Sequence, residues 1–282
     1  MIRLAIPAEG LLNRESLQFL NRIGIKLPCA TQACAMYATN FPLEIIAVAE
    51  ADILTLVQSG MMDIGFVGEQ FQDEKNADVQ VLRHWGIASH NMAIGGTPNI
   101  KYKSLETLNG KTILTPFPNF VNKELKAKNI KAKVQGISDS LKSIPPGDMS
   151  EFYCDAIPAG LHFQQKGLKE LELLATFETL LVVHSQLATN KKTILEELVF
   201  RMDATAESAN KQTLTMRVPT KHLEDILIVL PSQLPPMVMP INNELSLVQT
   251  LVDDTRFWDI VTKLKQLGAT EITLAPINHL IH

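Results

Sequence analysis

The sequence predicts an α/β protein: two βα lobes joined by a double crossover, then a C-terminal βαββαβ unit of the ferredoxin-like kind. Three observations carry this. Short apolar runs alternate with helical patterns from the N-terminus to about residue 178. A strand pattern at residues 180–184 then returns the chain to the first lobe, and two lobes with a double crossover leave a cleft where ligands usually bind. Residues 212–282 repeat neither pattern and read strand, helix, strand, strand, helix, strand.

Composition bounds the function. A chain of 282 residues predicts two to three compact units, and 46% apolar with 20% charged residues is ordinary for a soluble globular protein. The net charge of −4 argues against a nucleic-acid partner. No apolar run reaches the ~18–20 residues that cross a bilayer, so no membrane partner is expected. The N-terminus enters a strand at once, without the long apolar stretch of a secretory signal. Cys29, Cys34 and Cys154 are an odd set without metal-ligand spacing. Reduced thiols, a cytoplasmic location and no protein-held metal are the expectations.

The first lobe is predicted over residues 1–92 and 179–208. It takes strands at 2–6, 44–48, 63–67, 79–85 and 91–95, and helices at 13–22 and 51–59 that stop at Gly24 and Gly60. A long helix at 191–210 follows the return strand. The chain is expected to cross into the second lobe, residues 93–178, around Gly95-Gly96. There the strands fall at 112–115, 131–135 and 153–157 and a helix at 120–128, with a break at Pro145-Pro146-Gly147. In the C-terminal unit the strands are expected at 214–218, 237–241, 247–252 and 271–274. One helix runs from a Thr220 cap to Leu230, and another over 257–267 with Gly268 after it.

Residues 151–168, Glu-Phe-Tyr-Cys-Asp-Ala-Ile-Pro-Ala-Gly-Leu-His-Phe-Gln-Gln-Lys-Gly-Leu, read as a buried strand end, a tight glycine loop and the start of a helix. Backbone N–H groups in that arrangement cradle anions. Such loops usually add Ser or Thr hydroxyls, whereas Pro158, Ala159, Leu161 and His162 surround Gly160 here.

Three stretches together carry a family resemblance. Residues 52–69, Asp-Ile-Leu-Thr-Leu-Val-Gln-Ser-Gly-Met-Met-Asp-Ile-Gly-Phe-Val-Gly-Glu, look like the pattern D-I-P-x-L-V-x-x-G-x-x-D-x-G-I-x-G-x-D/E of long-form ATP phosphoribosyltransferases. Residues 154–168 are placed like that family's phosphoribosyl-pyrophosphate loop, D-L-V-x-[ST]-G-x-T-L. Residues 257–277, Phe-Trp-Asp-Ile-Val-Thr-Lys-Leu-Lys-Gln-Leu-Gly-Ala-Thr-Glu-Ile-Thr-Leu-Ala-Pro-Ile, look like its regulatory domain. The resemblance implies a periplasmic-binding-protein-like catalytic region with a regulatory C-terminal domain. It also implies attack of a ring nitrogen of ATP on the anomeric carbon of phosphoribosyl pyrophosphate, the first step of histidine biosynthesis. Mg²⁺ would accompany the pyrophosphate, and the assembly would be a homo-oligomer, dimer or hexamer. The substrate loop would be Asp155, Ala156, Pro158, Ala159, Gly160, Leu161 and His162.

The chain departs from that pattern where ligands are held. The loop K-[SG]-G-R-L is matched by Ala8-Glu9-Gly10-Leu11-Leu12, and R-x-R-x-x-D-I by residues 47–53, with Ala47 and Ala49 in place of arginines. A further arginine falls at His90, and G-S-V-E falls at Asp139-Ser140-Leu141-Lys142. Losing about three cations and two hydroxyls costs on the order of 6–11 kcal/mol if additive, and half of that lowers affinity roughly a hundredfold or more. Three readings follow. The chain works as an ATP phosphoribosyltransferase with an unusual site and Mg²⁺. It is an inactive paralogue that assembles with or regulates an active homologue and needs no cofactor. Or its cleft binds a small, less charged molecule.

Individual residues keep plainer readings beside these. Asp155 binds a ribose diol, as the resemblance implies, or caps its own turn. His162 approaches a phosphate or is an ordinary surface histidine. His84 and His90 flank Trp85 as polar neighbours of a packed ring or as a catalytic pair. Glu9 meets a lysine or water, and the run Lys123, Lys126, Lys128, Lys131, Lys133 is a solvated face or a substitute phosphate patch.

Overall fold

The computed structural model describes residues 1–28, 35–137, 150–158, 163, 167–231 and 235–281. The chain divides into two units, Met1–Leu195 and Glu196–His282.

The first unit is built on one sheet. Its elements in chain order are β1 (Ile2–Pro7), α1 (Gly10–Arg22), β2 (Ala35–Tyr37), β3 (Leu43–Val48), α2 (Glu50–Gln58), β4 (Ile64–Gly68), α3 (Glu69–Lys75) and β5 (Gln80–Gly96). There follow β6 (Thr112–Thr115), α4 (Pro118–Ala127), β7 (Lys133–Gly136), β8 (Phe152–Pro158) and β9 (Lys169–Val183); α5 (Thr189–Ser208) begins in this unit and runs past its end at Leu195. The sheet order is β2-β3-β1-β4-β9-β5-β8-β6-β7. β1 pairs in parallel with β3 and β4, which makes the first lobe; β6 pairs in parallel with β7 and β8, which makes the second. Every residue of β4 is buried, as expected for a central parallel strand covered on both faces. Gly65 allows that cover to come close, because a Cβ there would lie 2.5 Å from Ile53 Cγ2 on α2.

β5 and β9 are the double crossover, antiparallel from Gln80↔Val183 to Gly96↔Lys169. The five steps from Trp85 to His90 on β5 are matched by only two, Thr179 to Phe177, on β9. Residues 86–89 therefore bulge, and Ala88 takes a left-handed φ of 48° that a non-glycine residue adopts only under constraint. Thr179 Oγ1 holds the bulge by donating to the Ile87 carbonyl at 2.6 Å.

This corrects the expected crossing at Gly95-Gly96 and the division of β5 into two strands. Those glycines lie inside the strand because their neighbours come too close for a side chain. A Cβ would sit 2.8 Å from Phe163 at Gly95 and 2.6 Å from Leu171 at Gly96. β9 begins eleven residues before the expected 180. Its first half mixes charge into the apolar pattern, Lys-Glu-Leu-Glu-Leu-Leu, yet it is paired with β5 along that stretch. α3 and β2 were not foreseen: the first is a polar two-turn helix, the second only three residues. α1 starts at Gly10 rather than residue 13, and β7 at Lys133 rather than residue 131.

Ile53, Leu54, Val57, Val67 and Val182 centre one core cluster, and Ile94, Ile113, Phe120, Val121 and Phe152 another; Phe71 packs against both. A buried ion pair fixes the start of α5. Lys191 Nζ donates to both Asp63 oxygens at 2.8 Å, and the Arg3 N–H donates to the same carboxylate at 2.8 Å.

The C-terminal unit carries β10 (Lys211–Pro219), α6 (Leu223–Val229), β11 (Met237–Pro240), β12 (Leu245–Asp253), α7 (Asp254–Gln266) and β13 (Thr270–Pro276). Its sheet order is β11-β12-β10-β13, antiparallel throughout, the arrangement of a ferredoxin-like βαββαβ unit. β12 alternates strictly, and its Val248 and Val252 join Leu214, Met216, Ile226 and Leu264 in one core. Gly268 follows α7 with φ 85°. Thr220 is not the helix cap that was expected. It opens a 3-10 turn, Thr220–His222, and its N–H donates to the Glu244 carbonyl at 2.8 Å.

Candidate functional site

Strand direction places the cleft. Because β1, β3 and β4 are parallel, their ends at Pro7, Val48 and Gly68 share one edge, where α1, α2 and α3 begin. That edge meets β9 at Thr179, opposite Trp85. In the second lobe β8 ends at Pro158, opposite His90, and His90 lies opposite Phe177. The carboxyl ends of both sets of parallel strands therefore face each other across the 86–89 bulge, the position at which open α/β sheets bind ligands.

Helix N-termini on such an edge attract anions. Here the chain supplies its own. Glu9 is the residue before α1, and Glu50 and Glu69 are the first residues of α2 and α3. Glu50 Oε1 accepts the Gly68 N–H at 2.9 Å. Desolvation pushes the Glu50 pKa up, and the Gly68 hydrogen bond partly opposes it. Glu69 Oε2 accepts the Glu178 N–H at 3.3 Å, while its Oε1 is 4.0 Å from His84 Nδ1. Leu11 is half-buried on α1, Ala47 is half-buried at the end of β3, and Ala49 is exposed just before α2. The positions singled out in the first lobe thus do gather on one edge, and they present carboxylates and methyl groups.

In the second lobe Asp155 is half-buried on β8 and its Oδ1 accepts the adjoining Ala156 N–H at 2.8 Å, a local turn-type contact. Ala156 packs on the second-lobe core. Pro158 closes β8. Ala159, Gly160, Leu161 and His162 lie outside the described residues, as do Cys29, Cys34, Asp139-Ser140-Leu141-Lys142 and Pro145-Pro146-Gly147. His90 is buried, its pKa is lowered by desolvation, and its Nδ1 has no hydrogen-bond partner; the same holds for the partnerless Nε1 of Trp85. Trp85 packs on Phe19 with ring centroids 5.5 Å apart, so the packed-tryptophan reading fits better than a catalytic pair. The five lysines from Lys123 to Lys133 are exposed, and Lys123 pairs with Asp73 at 3.3 Å.

Sequence reasoning does not point to Glu50, Glu69 or Glu74. Glu50 and Glu69 gain their effect only because helix starts meet on one edge. Glu74 meets its acceptor-seeking amides 45 residues away, a pairing no local spacing reveals.

The model for "ATP phosphoribosyltransferase" matches residues 49–204, and that for "HisG, C-terminal domain" matches residues 209–279. The chain belongs to the ATP phosphoribosyltransferase family. It is 33% identical to the ATP phosphoribosyltransferase of Bacteroides fragilis over 282 residues, covering 100% of both chains. The Bacteroides thetaiotaomicron enzyme of the same name is 32% identical over the same span. Among solved structures, an ATP phosphoribosyl transferase (HisG:HisZ) complex from Thermotoga maritima aligns with TM-score 0.57 at 19% identity, covering 72% of this chain and 96% of that one, which supports the fold. The described first-lobe edge of the cleft carries Glu9, Glu50 and Glu69. Among the described residues no group of three or more His, Cys, Asp or Glu converges on a metal position. A magnesium ion is held mainly by phosphates and water with one or two carboxylates, so here it would come with the pyrophosphate.

Proposed function

We propose that the protein serves the ATP phosphoribosyltransferase reaction, ATP with phosphoribosyl pyrophosphate giving phosphoribosyl-ATP and pyrophosphate. The observation that carries this is the match to family enzymes over the whole chain, C-terminal domain included. The cleft would hold the two substrates. Asp155 would engage the ribose, backbone N–H groups of residues 159–162 would engage its phosphate, and the lobes would exclude water and align the attacking nitrogen. No described side chain is required to form a covalent bond. In this reading the lobes are residues 1–92 with 179–208 and residues 93–178, and residues 212–282 form the regulatory unit. The protein is a cytoplasmic homo-oligomer, dimer or hexamer.

A second reading is favoured by a specific observation: Ala8, Leu11, Ala47 and Ala49 stand where the family pattern carries bases, and Glu9 adds an acid on an edge that also bears Glu50 and Glu69. A polyanion there meets repulsion instead of charge-assisted hydrogen bonds worth roughly 1.5–3 kcal/mol each. On this reading the chain assembles with an active homologue and turns over nothing by itself. Phosphoribosyl-ATP formation with Mg²⁺, followed beside titration calorimetry with phosphoribosyl pyrophosphate, separates the two. Turnover above background supports the first. Neither turnover nor detectable binding, in a protein that co-purifies with an active homologue, supports the second.

A further inference from the structure

α3 belongs to the first lobe, between β4 and β5, and α4 to the second, between β6 and β7. The two are nevertheless joined directly. α4 has no side-chain cap of its own: Phe117 precedes it, and Pro118 at its first position has no N–H to offer. The next two amides are those of Asn119 and Phe120. Both donate to one oxygen of Glu74, at 2.9 and 3.0 Å, and Asn119 Nδ2 donates to the Glu74 carbonyl at 3.0 Å. A carboxylate near the C-terminus of one lobe's helix thus caps the N-terminus of the other lobe's helix, where the helix dipole favours it.

The same two turns of α3 supply two further contacts across the seam. Phe71 meets Phe117 edge to face at 5.2 Å and packs against the cores of both lobes. Asp73 pairs with Lys123 at 3.3 Å across the exposed side. The covalent links between the lobes are β5 and β9, and β5 carries the 86–89 bulge with its left-handed Ala88. We propose that Glu74 is an interlobe latch. While its carboxylate caps α4 the lobes are held together beside the crossover, and opening about the bulge requires that cap to break.

Opening then breaks the Glu74 cap together with the Phe71 and Asp73 contacts, and the cap and the bulge share one equilibrium. This stands apart from the question of substrate, since it concerns only how the lobes are fastened.

Amide hydrogen exchange on the full chain tests it. In Glu74→Ala the amides of Asn119 and Phe120 lose their acceptor and exchange faster locally. A latch predicts that amides flanking the bulge, Trp85 to Asn91 and Phe177 to Thr179, also exchange about tenfold faster or more, because a lost charge-assisted hydrogen bond shifts an opening equilibrium by that much. Glu74→Gln, which keeps one acceptor and the side-chain shape, gives a smaller rise at both places and carries the test if the alanine variant fails to fold. Asp73→Ala, which removes only the exposed ion pair, changes the bulge amides less than about twofold. Faster exchange confined to residues 119–121 overturns the latch. So does a uniform rise that includes β1, which would report loss of general stability.

Discussion

His90 and Asp63 show how differently two buried polar side chains can be treated by the same sheet. His90 is enclosed with an unpartnered Nδ1, and its pKa is lowered from the usual 6.5 by desolvation. The unfolded chain then binds a proton that the folded chain refuses, so stability rises with pH across that interval. The titration of His90 carries no penalty above pH 6.5, and stability is lost as pH falls from there through the lowered folded value. Urea unfolding between pH 5 and 8 should show that slope, and His90→Phe should flatten it; an unchanged slope would place the titration elsewhere. Glu50 has the opposite sign. Its raised folded pKa means that stability declines as pH climbs from about 4.5 through that value, and Glu50→Gln removes the decline. Asp63, by contrast, is fully engaged by Lys191 and the Arg3 amide. Lys191 keeps 25% of its side chain exposed and can reach water, so Asp63→Ala should cost about 1–3 kcal/mol in denaturant unfolding, much of it through the stranded Arg3 amide.

At the level of elements, the legible features were those whose apolar pattern and stop signals agreed. β1, β3, β6 and β8, the ends of α1 and α2 at Gly24 and Gly60, and the whole βαββαβ order announce themselves locally. What did not show was decided by neighbours. α3 is polar apart from Phe71 and exists because that ring docks between two cores. The front half of β9 carries charges that its pairing with β5 outvotes. Gly95 and Gly96 looked like a break because a sequence cannot tell a glycine that bends from one that merely makes room. Gly65 is of the second kind, pressed by Ile53 and Val57 of α2. Gly65→Ala should therefore push α2 off β4 and cost about 1–3 kcal/mol, read as a lower urea midpoint with an unchanged slope. If α2 yields freely and the midpoint holds, the close approach is not needed for the packing.

For the molecule as a whole, the question is whether a retained scaffold with an acidic rim can still grip a sugar pyrophosphate. The first-lobe edge was readable in outline, since the family resemblance singles out Glu9, Ala47 and Ala49 and the strands do bring them together. Glu50 and Glu69 were not, because their effect depends on three helices starting side by side. Charge reversal at one of these positions has a calculable direction. Glu9→Lys with Ala47→Arg and Ala49→Arg puts three cations at helix starts that already favour anions. Each new charge-assisted contact is worth roughly 1.5–3 kcal/mol, so even two productive contacts at partial effect should tighten phosphoribosyl pyrophosphate binding about a hundredfold or more. Calorimetry at moderate salt reads this, and added salt should weaken the gain because exposed charges are screened. The single change Glu9→Lys should give a smaller gain in the same direction. If the triple variant binds no better than the parent, the edge does not face the sugar pyrophosphate, and the missing bases are not what limits this cleft.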